Sequence, residues 1–283
     1  MTADPVAATT KSVLRFEHVS LAFDGGPALD DVSFDLEAGH TLILFGAAGS
    51  GKSVLLKTAM GLLKPDRGQI FLFGEDITGM PEEDLYEIRA KAGILFQESA
   101  LFDSLTVEDN VAYPLLNQRA RGGKRVAVAH DEVDRRVREA LRFVELEGTL
   151  EKFPSELSGG MRRRVGIARA TVTDPPLILY DSPTAGLDPI TANTIVALIV
   201  KARDMRNTTS VIVSHRYQDG HIMANFRHNP ETGELEPATR DSRIHQGTAF
   251  MVFREGQLLF TGTQEELEHA TDPYIAKFRS ARS

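Results

Sequence analysis

Three short runs of this chain are apolar at almost every position: residues 41–45 (TLILF), 177–180 (LILY) and 210–214 (SVIVS). Runs of this length, bounded by turn residues, suit strands buried on both faces, as in a parallel sheet covered by helices. Residues 13–23 (VLRFEHVSLAF) and 29–36 (LDDVSFDL) instead alternate apolar and polar, as half-exposed antiparallel strands do, and Asp24-Gly25-Gly26-Pro27 makes the turn between them. Glu37-Ala38-Gly39-His40 ends the second. A glycine-rich loop follows residue 45, then a helical period through Leu63, a turn at Pro65-Asp66-Arg67-Gly68 and a strand at 69–73. The middle changes character: residues 81–92 and 130–147 are charged and helical in period, with Arg121-Gly122-Gly123-Lys124 as an exposed loop. Residues 229–247 are polar, with two prolines and two glycines, and read as an exposed or disordered insert. Residues 248–253 and 257–260 predict a hairpin around Arg254-Glu255-Gly256, followed by a short acidic helix and the tail DPYIAKFRSARS.

This order predicts an α/β fold: a core with a parallel sheet (13–96 and 171–265), an antiparallel β-subdomain at its N-terminal side, and an inserted helical subdomain (97–170). The insert 229–247 lies within that domain of 13–265, and 266–283 form a C-terminal tail. No internal repeat or sustained heptad is present. Composition adds mainly exclusions. The 283 residues are 42% hydrophobic and 25% charged, as in an ordinary globular protein. A net charge of −8 argues against nucleic acid or an anionic lipid surface as a partner of the whole chain. The absence of cysteine removes disulfides, thiolate metal sites and cysteine nucleophiles. No apolar run approaches the ~20 residues of a membrane-spanning helix. The opening MTADPVAATT lacks the features of a secretory signal, which makes a soluble cytoplasmic protein the default expectation.

The glycine-rich loop carries the chemistry. Gly46-Ala47-Ala48-Gly49-Ser50-Gly51-Lys52-Ser53 fits G-x-x-x-x-G-K-[ST], with a buried strand before it and a helix after it. Glycines let successive backbone N–H groups curl towards phosphates, and the helix N-terminus, Val54 included, adds a favourable dipole. Lys52 is placed to reach the β- and γ-phosphates, and the Ser53 hydroxyl to ligate Mg²⁺.

Downstream, Leu157-Ser158-Gly159-Gly160-Met161 precedes a helix, LILYDSPTAGLD occupies 177–188, and Val213-Ser214-His215 follows. This set, in this order, resembles the ATP-binding subunit of ABC transporters over about residues 13–265. The resemblance implies a P-loop NTPase with a RecA-like core, binding ATP and Mg²⁺ and hydrolysing ATP. It implies further that Phe23 stacks on adenine and that Gln97 contacts Mg²⁺ and the attacking water. Asp181 would hold Mg²⁺, and His215 would contact the γ-phosphate. Ser158, Gly159 and Gly160 would close over the nucleotide of a second copy, with Asp188 in a loop at that interface. Ser53, Gln97 and Asp181 are thus the expected metal set, and Gln97, Asp181, Ser182 and His215 the expected catalytic set.

Two departures matter. Met161 stands where many members carry Gln, and LSGGM resembles the Mla/Mce-type lipid-transport ATPases. So do residues 95–116 (LFQESALFDSLTVEDNVAYPLL), DPIT at 188–191 and the DPYIAKF tail. The residue after Asp181 is usually a Glu that polarises the attacking water, and here it is Ser182. A hydroxyl orients water but accepts a proton poorly, so a slow ATPase is expected; Glu98 is the nearest alternative carboxylate in sequence.

By the resemblance, the partners are a second copy, integral membrane permease subunits and an Mce-type substrate-binding protein. The chain would then sit on the cytoplasmic face of the cell membrane through the permease, and the substrate would be a phospholipid or related hydrophobic molecule. An importer of a polar solute, and an ATP-gated switch with little turnover, are the alternatives. Arg162-Arg163-Arg164 and Arg169 are expected to solvate a helix face or to neutralise phosphates rather than to bind nucleic acid.

Overall fold

The computed structural model describes residues 12–239 and 247–280. The MTADPVAATT stretch, residues 240–246 of the polar insert and the last three residues of the tail lie outside the described residues.

The three apolar runs are β3 (Thr41–Gly46), β7 (Leu177–Asp181) and β8 (Thr209–Val213), and every residue in them is buried. With β6 (Ala92–Leu95), β11 (Thr248–Arg254) and β12 (Gln257–Gly262) they form a six-stranded sheet in the order β12-β11-β3-β8-β7-β6. All neighbours are parallel except the edge hairpin β11–β12. The runs are apolar throughout because the sheet has two cores. Leu42 and Leu44 face one of them, and Ile43 and Phe45 face the other.

The first core is closed by a second, antiparallel sheet. It comprises β1 (Ser12–Phe23), β2 (Gly26–Glu37), β4 (Arg67–Leu72) and β5 (Glu75–Asp76), in the order β2-β1-β4-β5. Leu14, Phe16, Val32 and Phe34 point inward, with the two phenylalanine rings stacked at 4.8 Å. α1 (Lys52–Ala59) and α2 (Glu82–Arg89) complete this layer.

The second core lies under α3 (Val107–Leu116), α4 (His130–Phe143), α5 (Gly159–Thr171), α6 (Pro189–Arg206) and α7 (Tyr217–Asn225). The first three pack on one another as the helical subdomain. Asn110, fully buried on α3, ties down the loop before that helix. Its Oδ1 accepts from Phe102 N–H (2.8 Å), and its Nδ2 reaches the carbonyls of Phe102, Leu105 and Thr106.

Helix ends differ from the periodicity, and backbone geometry explains why. α1 stops at Ala59 rather than continuing through Leu63. Gly61 turns left-handed there, and its N–H and that of Leu62 bond back to Thr58 and Lys57. α4 stops at Phe143 rather than 147, with Glu145 left-handed and the N–H of Leu146 bonded to Leu141.

The polar insert is not all loop. β10 (Leu235–Pro237), inside it, forms a hairpin with β9 (Phe226–His228), which ends just before it. The hairpin is moored to α6 by Arg203 Nη2 on the Phe226 carbonyl and by Asp204 Oδ2 accepting from His228 N–H. The acidic helix is α8 (Gln264–His269), and the tail folds as α9 (Pro273–Ser280).

Candidate functional site

Strand order gathers the candidate residues. β3, β8, β7 and β6 are adjacent and parallel, so the loops leaving their carboxyl ends share one edge of the sheet. Those loops carry, in spatial order, Gly46–Ser53, His215, Asp181-Ser182 and Gln97. Open α/β sheets bind ligands at this edge.

The glycine loop is shaped for an anion. Gly46 lies against the Phe253 carbonyl, where an added Cβ would stand at 2.6 Å, and Gly51, with φ 104°, leaves 2.2 Å to the Ala28 carbonyl. Neither position tolerates a side chain. Gly51 is also the N-cap of α1, which has no side-chain cap and no acidic residue in its first turn. The first-turn amides of that helix are therefore donors without an intrahelical acceptor.

Lys52 is 5% exposed and folds back on its own loop, donating to the carbonyls of Gly46 (2.8 Å) and Ala47 (2.7 Å) and to Ser50 Oγ (3.1 Å). Burial pushes its pKa down to about 8, against a smaller upward pull from Asp181. A buried ammonium held only by neutral oxygens fits a triphosphate, and Ser53 and Asp181 supply the oxygen donors that suit Mg²⁺.

Asp181 and Ser182 are 8% and 5% exposed. Ser182 is left-handed at φ 51°, its N–H bonds the Val213 carbonyl, and its Oγ donates to Asp181 Oδ1 at 3.2 Å. A buried non-glycine residue in that region is held by its surroundings at a cost of ~1–3 kcal/mol. His215 is exposed and faces the same group: its imidazole pKa is lowered first by partial burial and then by Lys52, while the Gly46 backbone and Asp181 act in the opposite sense. The larger effects thus favour the neutral imidazole in the free protein. Gln97 and Glu98 are exposed on the loop after β6. Phe23 is half exposed at the end of β1.

Other candidates lie elsewhere. Ser158 caps α5, accepting from Met161 N–H at 3.3 Å. The neighbours of Gly159 and Gly160 are Leu187 and Thr191, not the glycine loop. Asp188 caps α6 within its own chain, accepting from the N–H groups of Ile190 and Thr191 and from Thr191 Oγ1, which holds its carboxyl below the usual range.

Of the arginines after Met161, Arg162 is exposed on the helix face as the sequence suggested and Arg164 is half-buried, but Arg163 and Arg169 turn inward. Arg163 and Arg169 are buried, and all four guanidinium groups donate to backbone carbonyls: Leu157 for Arg162, Ala185 for Arg163, Val144 for Arg164 and Ala100 for Arg169. From Val165 to Thr171 every residue of the helix is buried, which leaves the Arg169 charge no route to solvent.

Two further residues were not legible from pattern. Tyr274 on α9 accepts from the N–H of Ala47 (3.0 Å) and donates to the Phe253 carbonyl (3.0 Å), while Phe278 stacks on Phe45. Asp219 on α7 is fully buried; its Oδ2 accepts from Thr184 Oγ1 (2.5 Å) and Ser214 Oγ (2.6 Å), and burial raises its pKa.

A glycine loop opening an uncapped helix at the carboxyl edge of a parallel sheet, with a buried lysine and an aspartate facing it, defines a P-loop nucleotide-binding protein. A family model described as ABC transporter matches residues 29–185. The probable ribonucleotide transport ATP-binding protein mkl of Mycobacterium leprae is 42% identical over 269 residues, 95% of this chain and 69% of that protein. Its Mycobacterium tuberculosis counterpart is 41% identical over 92% of this chain and 64% of its own length. The methionine import ATP-binding protein MetN of Corynebacterium jeikeium is 34% identical over 88% of this chain and 64% of that one. The chain thus spans about two thirds of the length of these relatives. Among solved structures, a dimeric ATP-binding cassette in a post-hydrolysis state bound to ADP and Pi superposes with a TM-score of 0.72 at 28% identity, covering 89% of this chain and 98% of that one. The chain belongs to the ABC transporter family, among its ATP-binding ATPase subunits.

Proposed function

We propose that this chain binds MgATP at Gly46–Ser53 and hydrolyses it slowly to power an ABC transporter that moves a phospholipid or other hydrophobic molecule across the cell envelope. The observation that carries the ATP chemistry is the shared sheet edge, where the buried Lys52 faces Asp181 and His215. The loop amides, Lys52 and the amides of Ser53 and Val54 take the phosphates, and Phe23 takes the adenine. Ser53, Asp181 and Gln97 hold the metal. Gln97 and His215 orient the attacking water, which Ser182 helps to place without acting as a strong base. Ser158, Gly159, Gly160 and the Asp188 loop complete the site from a second copy.

The lipid reading rests on residues 95–116, LSGGM and DPYIAKF, all similar to the Mla/Mce-type ATPases. The 95–116 stretch folds around Asn110 and leaves Phe102 and Tyr113 exposed, their rings 4.6 Å apart. Such an apolar, rigidly held patch suits a permease, and an Mce-type substrate-binding protein would belong to the same assembly at the membrane. The relatives named for ribonucleotide transport and methionine import favour a second reading, an importer of a polar solute.

The experiment is purification of the membrane complex and assay of ATPase activity in proteoliposomes. Stimulation by phospholipid, abolished by Lys52→Ala, is expected. Stimulation by methionine or a ribonucleotide instead would overturn the lipid reading, and activity that survives Lys52→Ala would overturn the site.

A further inference from the structure

Arg163 lies on the first turns of α5, the helix that Ser158 caps, yet it is only 6% exposed. Its Nη2 donates to the Ala185 carbonyl at 3.1 Å, and its Nη1 makes a longer contact of 3.5 Å to the Phe96 carbonyl. Among the described residues no carboxylate lies within ion-pair distance of it. Glu98 and Asp181 answer its charge from further away, and burial lowers its pKa. A buried cation without a bonded counter-ion is costly, so its placement calls for an explanation.

The two carbonyls belong to the two loops that flank the expected position of the attacking water. Phe96 immediately precedes Gln97. Ala185 closes the turn that begins at Ser182, since its own N–H donates to the Ser182 carbonyl at 3.1 Å. Thr184, in the same turn, is held by Asp219, which also holds Ser214 next to His215. Arg163 is thus the point at which the helix headed by Ser158 grips both the Gln97 loop and the Ser182 turn. A guanidinium fork spans two carbonyls in fixed geometry, which an ammonium on a flexible stem does not.

We infer that Arg163 is a positioning residue for hydrolysis: it locks the Gln97 loop and the Ser182 turn to the signature helix, so that both are set together when Ser158 engages a partner's nucleotide. With a hydroxyl in place of the usual carboxylate, the rate leans on placement of the water more than on proton abstraction, and a clamp on both loops carries correspondingly more of it. The inference rests on the placement of Gln97, Asp181 and Ser182 proposed above.

The test is steady-state MgATP hydrolysis by the full chain carrying Arg163→Ala, Arg163→Gln or Arg163→Lys, beside Lys52→Ala. Arg163→Ala is expected to lower kcat by ~10- to 10²-fold with the KM for ATP changed less than about twofold and ATP-dependent dimerisation in sedimentation retained. Arg163→Lys restores part of the rate, because one carbonyl regains a charged donor. Should the alanine variant fail to fold, the lysine and glutamine variants carry the test, with both expected below wild type in kcat alone. A folded alanine or glutamine variant with unchanged kcat, or one in which KM rises while kcat holds, overturns the inference while the site stands, provided that Lys52→Ala is inactive. Full activity in Lys52→Ala overturns the site and this inference with it.

Discussion

Lys52 shows how a single side chain sets a measurable property of the site. In the free protein burial holds it at about 8, and a bound triphosphate favours its charged form and raises that value. Above pH 8 the complex therefore holds more protons than the free protein, and ATP affinity falls as the pH rises, by up to ~10-fold per pH unit. Below about pH 7 Lys52 is charged in both states and adds no slope. Titration of a fluorescent ATP analogue between pH 7 and 9.5 is expected to show the loss, with Lys52→Ala binding weakly and without it; a flat wild-type profile contradicts the account. The lysine and its glycines are legible in the sequence because their spacing alone defines the loop. Ser182 is legible as a departure, but its left-handed backbone is not, since that depends on the Val213 carbonyl it meets across the sheet.

At the scale of elements, pattern served where burial is two-sided or strictly alternating. β3, β7 and β8 read as strands because both of their faces are covered, and β1 and β2 because one is not. It failed where short-range geometry decides. β6 has four residues, too few for a period, and β9–β10 owe their pairing to Asp204 and Arg203 on α6. The polar Asn110 gave no periodic signal, yet it fixes the loop before α3. Asn110→Ala leaves the Phe102 N–H and the Leu105 carbonyl there without a partner and is expected to destabilise the protein by about 2–3 kcal/mol, read as a lower denaturant midpoint at unchanged slope. An unaltered midpoint would show that solvent replaces those bonds. Tyr274 on α9 is another such case, because only the fold brings it to Ala47. Tyr274→Phe keeps the ring packing and removes the hydroxyl, so ATP affinity is expected to fall ~5-fold, the equivalent of about 1 kcal/mol, with little change in melting temperature. Equal affinity in a binding titration would remove the helix from the nucleotide site.

On the proposed function, the molecule as a whole presents half of two sites rather than one complete site. The glycine loop, Asp181 and His215 share a sheet edge, whereas Gly159 and Gly160, next to Ser158, neighbour Leu187 and Thr191 at the start of α6. Ser158→Arg is expected to block ATP-dependent dimerisation in sedimentation while monomer binding of ATP persists; an unchanged monomer–dimer equilibrium would contradict the two-copy site. On the same proposal the catalytic chamber is intact except for a missing carboxylate at position 182. The direct measurement is the steady-state ATPase rate of wild type beside Ser182→Glu in the same assembly. A slow wild type and a rise of at least ~10-fold in the variant are expected, near the low end of what a general base contributes, with ATP affinity equal or slightly weaker. A wild type turning over as fast as the variant would contradict it, and a collapse of activity in Glu98→Gln would then move the base to Glu98.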